Sequence, residues 1–307
     1  MTTEQEGPLG RPERAPVVSR LDVNGLDCEC LTWDGGGDTT VLLVHGYLDS
    51  AWSWGYFVDA LTPLWPEAHV VAFSWRGHGT SARVGAGGFY HFVDYVRDLD
   101  VVARTVRRGR LVVVGHSMGG GASLLWLGAR PGRAERAVLI EGGGPRPGGP
   151  DDLVERVGKW IEETTPFDPD RLDKPMDDVG HAARRVSRMD AQLSSAQAHY
   201  LAEVGTERGA DGRLRWRYDQ LNRARSPTPL LPGVLEAFAR RVSVPVHWVD
   251  GADSTLLPLR DDAVIAAIPD LRHTVLPGAG HMVQHHRPRA LARLVSDFAR
   301  TDSPPHP

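Results

Sequence analysis

The sequence predicts an α/β protein: a doubly wound, mostly parallel sheet carrying an N-terminal antiparallel hairpin and interrupted by a helical insertion. Three observations carry that expectation. Short, continuously apolar runs recur along the chain, each followed by a glycine-containing turn and a longer segment of helical character, which is how strands buried on both faces and their crossover helices read. The 307 residues are 41% hydrophobic, with 35 Lys+Arg against 39 Asp+Glu, a soluble globular composition that excludes collagen-like, coiled-coil, disordered and disulfide-scaffold chains. Finally, between Glu141 and Ser243 lie roughly 100 residues with no clear β run but several amphipathic segments, a stretch too long for a structureless loop inside a compact domain.

The elements follow in order. Residues 1–15 carry Gly, Pro and charge without periodicity and read as a flexible tail, with order beginning at Pro16. Val17–Val23 and Leu26–Trp33 flank Asn24-Gly25, the dipeptide that supplies the two positive-φ residues of a type I′ turn, so they form a hairpin. The apolar runs 41–44, 70–73, 111–114, 137–140, 246–249 and 274–276 are the parallel strands. Helical spacing marks 52–61, 92–108, 118–129, 259–268 and 288–300 around them, with Val93, Val96, Leu99, Val102 and Val106 along one stripe of the second. Amphipathic segments at 151–163, 178–193 and 232–241 make the insertion helical, and Gly142–Pro150 reads as the hinge into it. Residues 302–307 form a second tail.

Charge and cysteine usage narrow the partners. A net charge of −4 and a pI near 6.3 leave no basic patch for counterion release on nucleic acid, so no nucleic-acid partner is expected. Cys28 and Cys30 share one face of a strand, where they are poorly placed to bond to each other, and a lone C-x-C lacks the further ligands of a metal site. The N-terminus has no apolar h-region and no stretch approaches the roughly 18 apolar residues of a membrane span, so a cytoplasmic location is the default.

The chemistry sits at the strand ends. Gly115-His116-Ser117-Met118-Gly119 directly follows an apolar run and directly precedes a helix, the context in which G-x-S-x-G exposes a serine hydroxyl at the carboxyl edge of a sheet. His45-Gly46-Tyr47 follows the first parallel strand in the same way, so the amides of Tyr47 and Met118 can complete an oxyanion site; His45 itself reads as structural. Of the 13 histidines, His281 alone lies in a glycine-flanked turn after the last run, as the order nucleophile, acid, histidine requires. His285 and His286 read as a solvated helix start, because no Glu follows the first histidine as an H-E-x-x-H zinc site requires; no metal is expected. Two acids compete: Asp253, after the 246–249 strand, and Glu141, at the end of the 137–140 strand. Either could orient the imidazole.

His45-Gly46, Arg76-Gly77-His78-Gly79-x-Ser81, Gly115-His116-Ser117-Met118-Gly119-Gly120 and Gly280-His281 together resemble the α/β-hydrolase superfamily, in order and spacing, over nearly the whole chain. His45–Ala51 and Trp216-Arg217-Tyr218-Asp219 are similar to HG-x-x-D and W-x-x-D stretches of its serine-hydrolase-like branch. The resemblance implies an eight-stranded, mostly parallel sheet, a core formed by 16–145 and 243–301, a helical cap over 146–242, and catalysis without metal or organic cofactor. It also bears on the acid. The superfamily usually places it at the fourth position of G-x-x-D, here Ser254 with Asp253 one residue early, and branches with serine there tend to use the end of the strand after the nucleophile helix, which is Glu141. A serine nucleophile, rather than aspartate, speaks against the haloalkane dehalogenase and epoxide hydrolase branches.

The expected activity is hydrolysis of a carboxylic ester, thioester or lactone through an acyl-enzyme on Ser117. The same residues could cleave a carbon–carbon bond of a vinylogous diketone, and a third reading is a ligand-binding protein that keeps the fold without turnover. Tyr47 and Tyr90 with Trp52 and Trp54 follow strand ends, and Trp160 and Trp216 lie in the insertion. Together they suggest a pocket between core and cap for a medium-sized apolar small molecule.

Overall fold

The computed structural model describes residues 9–144, 147–169, 172, 174–257 and 260–301. Ten strands and ten α-helices occur among them: β1 (Val17–Val23), β2 (Leu26–Asp34), β3 (Thr39–Val44), α1 (Gly55–Leu61), β4 (His69–Phe73), α2 (Phe92–Val106), β5 (Arg110–His116), α3 (Met118–Ala129) and β6 (Arg136–Ile140). The insertion follows with α4 (Pro150–Thr164), α5 (Val179–Met189), α6 (Ser195–Gly205), β7 (Thr206–Arg208), β8 (Leu214–Trp216) and α7 (Val234–Ala239). The chain then closes with β9 (Val246–Gly251), α8 (Asp262–Ala266), β10 (Leu271–Leu276), α9 (Val283–His286) and α10 (Pro288–Arg300).

Eight strands form one sheet in the order β1-β2-β4-β3-β5-β6-β9-β10. β1 and β2 pair antiparallel around Asn24 and Gly25, whose φ values of 56° and 82° are those of the expected turn, and β2 joins β4 antiparallel. From β4 to β10 every pairing is parallel.

The central strands are buried on both faces, and alternate residues feed two separate core layers. Leu42, Val44, Leu111 and Val113 pack with α2, α3, α7 and α8, while Val41, Leu43, Val112 and Val114 pack with α1 and α10. This two-sided cover is what made the runs continuously apolar rather than alternating.

Some expectations differ. The flexible tail was expected through residue 15, but Glu13 and Arg14 donate their amides to the Asp59 carboxylate of α1 at 2.7 and 3.0 Å, and the Trp33 indole donates to the Arg14 carbonyl. A carboxylate on a fixed helix thus ties down a segment that has no periodicity of its own. Residues 1–8 and 302–307, and the boundary at 145–146, lie outside the described residues. α7 falls within the expected 146–242 segment yet packs on the sheet side, with Leu235 and Ala239 in the same core layer as α3. The sequence reading does not mark α6, whose buried residues Gln197, Ala198, Tyr200 and Ala202 form no clear apolar stripe, or the β7–β8 ribbon, whose three-residue strands carry too few alternations to register as a pattern. The insertion otherwise forms its own small cluster around Met176, Ala182, Ala202 and Leu214.

Candidate active site

Ser117 stands on the turn between β5 and α3 with φ 52° and ψ −118°, a conformation that side-chain-bearing residues adopt only under constraint. Its neighbours explain how the turn is possible. A Cβ on Gly119 would stand 2.4 Å from the Val44 carbonyl oxygen, and one on Gly115 would stand 2.8 Å from the Gly119 carbonyl, so neither position has room for a side chain. The Ser117 amide donates to the Ile140 carbonyl at 2.9 Å and pins the turn to the end of β6.

Glu141, the residue after β6, is likewise held in the left-handed region at φ 47°. Its side chain is 3% exposed, and each oxygen is engaged. Oε1 accepts from the Gly251 amide at 2.8 Å, and Oε2 accepts from the Ser254 hydroxyl at 2.7 Å while facing His281 Nδ1 at 2.9 Å. On the other side of the ring, His281 Nε2 lies 3.0 Å from Ser117 Oγ. Ser117, His281 and Glu141 therefore form one unbroken hydrogen-bonded row. Burial pushes the Glu141 carboxyl up, but the hydrogen bonds from His281, Ser254 and Gly251 and the His281 charge outweigh it and leave the group below its ordinary value.

Asp253 is not in that row. It is an exposed turn residue whose amide donates to the Ala279 carbonyl, while Ser254, the next residue, turns inward onto Glu141. The two candidate acids of the sequence are thus separated by the direction the β9–α8 turn takes.

Tyr47 and Met118 come close to the serine. A Cβ at Gly46 would lie 3.2 Å from Ser117 Cβ, which places the backbone leading into Tyr47 against the serine turn. Among the described residues, neither the Tyr47 nor the Met118 amide has a hydrogen-bond partner. The loop carrying Tyr47 is fixed by histidines: His78 Nε2 accepts from the Leu48 amide at 3.2 Å, and His45 Nε2 accepts from the Trp75 amide at 3.0 Å. Burial holds both imidazoles below their ordinary value, His78 at about 4, so both work as neutral acceptors at pH 7. Arg76 of the R-G-H-G stretch makes a two-pronged pair with buried Asp98 of α2, at 2.6 Å on each prong.

The aromatic residues expected around substrate lie elsewhere. A cavity of about 510 Å³ opens at Ser117, Glu141 and His281 between α3, α7, α8 and the ends of β6 and β9, and none of Tyr47, Trp52, Trp54, Tyr90, Trp160 or Trp216 lines it. Trp54 is wholly buried against Phe57 in the α1 layer, Tyr90 is buried and donates to Asp219, and Trp52 donates to Glu29. Trp160 meets Phe89 edge-on, and Trp216 stacks on Tyr218. Of the six only Trp54 and Tyr90 are buried; Tyr47 is about half exposed and the other three are partly buried. The cavity walls are instead Leu124, Leu235, Trp248, Leu256, Leu257 and Val264, with Asp250, Arg260 and Asp261 as its charged members besides Glu141. Asp250 is fully occupied, taking Trp248 Nε1 at 2.9 Å, Arg260 Nη1 at 2.7 Å and His273 Nε2 at 2.8 Å. Trp248 was read only as a strand residue, since its alternation places it in the core layer that happens to border the cavity.

His285 and His286 are not a solvated helix start. His285 is buried with Nε2 facing the Ser53 carbonyl at 3.2 Å, and His286, with its side chain 4% exposed, pairs with Asp190 at 2.8 Å. The insertion covers them, which local polarity could not reveal. His116, inside the G-x-S-x-G motif, is also buried and faces the His281 carbonyl through Nε2 at 3.0 Å.

A sharp strand–serine–helix turn, a histidine from the loop after β10 and an acid from the end of β6, all on one edge of an eight-stranded sheet, define the α/β-hydrolase class. The chain belongs to the alpha/beta hydrolase family, whose model matches residues 41–294. It is 25% identical to the serine hydrolase-like protein of Danio rerio over 300 residues, covering 95% of this chain and 90% of that one, in keeping with the branch its motifs resemble. Among solved structures, it is similar to a hypothetical protein from Pseudomonas aeruginosa PAO1, with TM-score 0.80, 27% identity and coverage of 92% of this chain and 99% of the other. It is also similar to a thioesterase domain from the curacin biosynthetic pathway, with TM-score 0.79, 25% identity and coverage of 92% and 99%. None of the described helices is long and apolar enough to cross a membrane.

Proposed function

We propose that this protein is a serine hydrolase that cleaves a carboxylic ester, thioester or lactone of a medium-sized apolar substrate through an acyl-enzyme. The observation that carries the reading is the row Ser117 Oγ–His281 Nε2 at 3.0 Å and His281 Nδ1–Glu141 Oε2 at 2.9 Å. Ser117 attacks the carbonyl carbon while His281 takes its proton; Glu141 holds the imidazolium that forms, and the Tyr47 and Met118 amides receive the oxyanion. His281 then returns the proton to the leaving alcohol or thiol, and water repeats the sequence to release the acid. Glu141 is preferred to Asp253 as the acid because it alone of the two faces His281 Nδ1. The cavity walls support an apolar acyl group. Its one arginine is already paired with Asp250 and Asp262, so a further carboxylate on the substrate would have no cation left unshared.

Fluorophosphonate labelling of the wild type beside Ser117→Ala, Glu141→Gln and Asp253→Asn tests the assignment. Labelling is expected to vanish in Ser117→Ala, to slow by a factor on the order of 10⁴ in Glu141→Gln, as when a triad acid is made neutral, and to persist in Asp253→Asn. A p-nitrophenyl ester series then checks substrate class: neutral medium-chain esters should be turned over faster than acetate or a hemisuccinate ester. Failure of the folded wild type to label, or faster turnover of the charged ester, would reject the proposal.

A further inference from the structure

The α5–α6 turn of the insertion meets the loop that carries His281 through a closed ring of hydrogen bonds. Asp190 Oδ1 accepts from the Gln192 amide at 3.1 Å, and Asp190 Oδ2 faces His286 Nε2 at 2.8 Å. His286 Nδ1 in turn accepts from the Gly280 amide at 3.0 Å, and the same amide donates to Gln192 Oε1, also at 3.0 Å, which closes the ring. The proton inventory fits one arrangement. Because Nδ1 accepts from an N–H, the His286 ring carries its proton on Nε2 and donates it to the Asp190 carboxylate. Gly280, the residue before His281, is the member of the ring on the histidine loop, and it is closely packed: a Cβ there would stand 3.2 Å from Gln192 Oε1 and 3.3 Å from the His286 ring and would press on both. A second tie lies alongside, where Gln197 at the start of α6 donates to the His285 carbonyl at 2.8 Å.

We infer that Asp190, Gln192 and His286 are positioning residues for His281, so that the seating of the insertion on the core sets the geometry of the catalytic base. The inference rests on the hydrolase reading for its kinetic consequence. Its physical basis is separate: two side chains, Gln192 and the almost wholly buried His286, converge on the single amide that precedes His281, and Asp190 holds both of them from behind. A surface turn that merely covered the core would need no such convergence. A shift of the loop by about 1 Å is enough to cost on the order of 10²-fold in rate when a catalytic group is displaced from its attack geometry.

The test compares Asp190→Ala, Asp190→Asn and Gln192→Ala in the full chain. The fluorophosphonate labelling rate, and kcat on a p-nitrophenyl ester, should fall by roughly ten- to a hundredfold in Asp190→Ala with KM unchanged. Asp190→Asn, which keeps an oxygen for His286, should recover part of that loss, and Gln192→Ala should behave like a milder Asp190→Ala. Nitrogen-15 NMR of the histidine rings reads the same coupling without turnover: the His281 Nδ1–H resonance should move in Asp190→Ala and return toward its original position in Asp190→Asn. Wild-type labelling rate and an unmoved His281 resonance in a folded Asp190→Ala protein would overturn the inference. If the wild type itself fails to label, the hydrolase proposal falls, and the NMR comparison alone decides whether the ring holds His281.

Discussion

Ser254 shows how much one hydroxyl can decide. It donates to Glu141 Oε2, the oxygen that faces His281, and a hydrogen bond to a charged group is worth about 1.5–3 kcal/mol. Ser254→Ala is therefore expected to lower kcat about tenfold with little change in KM, and to reduce stability at pH 7 in urea unfolding. The sign follows from the carboxyl's depressed value. Its contribution is present above the ordinary 4.5 of an unfolded glutamate and is lost as pH falls through the lower folded value. An unchanged kcat would mean that Gly251 alone suffices to hold the acid. Two side-chain-bearing residues of the site, Ser117 and Glu141, sit at positive φ; the glycine-flanked turn marks the first in the sequence, whereas no local pattern marks the second, whose amide is held by the Val249 carbonyl of β9.

At the scale of elements, the placement of α3 depends on glycines that let backbones touch. A Cβ on Gly121 would stand 2.2 Å from the Gly143 carbonyl oxygen, so α3 could not approach the segment leaving β6. Gly121→Val should destabilise the protein by about 1–3 kcal/mol through overpacking, read as a lowered urea midpoint, and should disturb Glu141 through the strand end it follows. A variant of wild-type stability would show that α3 can move away freely. The insertion was legible as helical from the apolar spacing of 151–163 and 178–193, yet its contacts were not. Whether Asp190 meets His286, or Asp219 donates its amide to Gly77 at 2.7 Å, depends on docking between segments distant in the chain.

For the whole molecule, acid sensitivity follows from histidines buried neutral. Burial pushes His78 and His285 down to about 4, and His45 and His116 well below their usual value, with the neighbouring His281 charge adding to the effect at His116. The unfolded chain binds protons on these rings once pH drops below their ordinary 6.5, whereas the folded chain does not. Stability is thus fully present above 6.5 and declines as pH falls toward 4, by about 1.4 kcal/mol per pH unit for each such histidine. Urea midpoints at pH 7, 6 and 5 should fall progressively. A flat profile over that range would mean that the buried rings are protonated in the fold.

The sequence by itself determined the sheet, its hairpin and the serine turn, because each depends on a local pattern: apolar runs buried on both faces, Asn24-Gly25 at the turn, and glycines around Ser117 directly between a strand and a helix. It also narrowed the acid to two residues. Only the tertiary structure separates the two candidates, since Glu141 and Asp253 both follow strands and it is the Glu141 carboxylate that the β9–α8 turn leaves facing His281. It likewise decided which side chains border the cavity. Burial of an aromatic ring can be expected from its hydrophobicity, but whether it borders a core layer or a cavity depends on the packing of α3, α7 and α8, which no local pattern records.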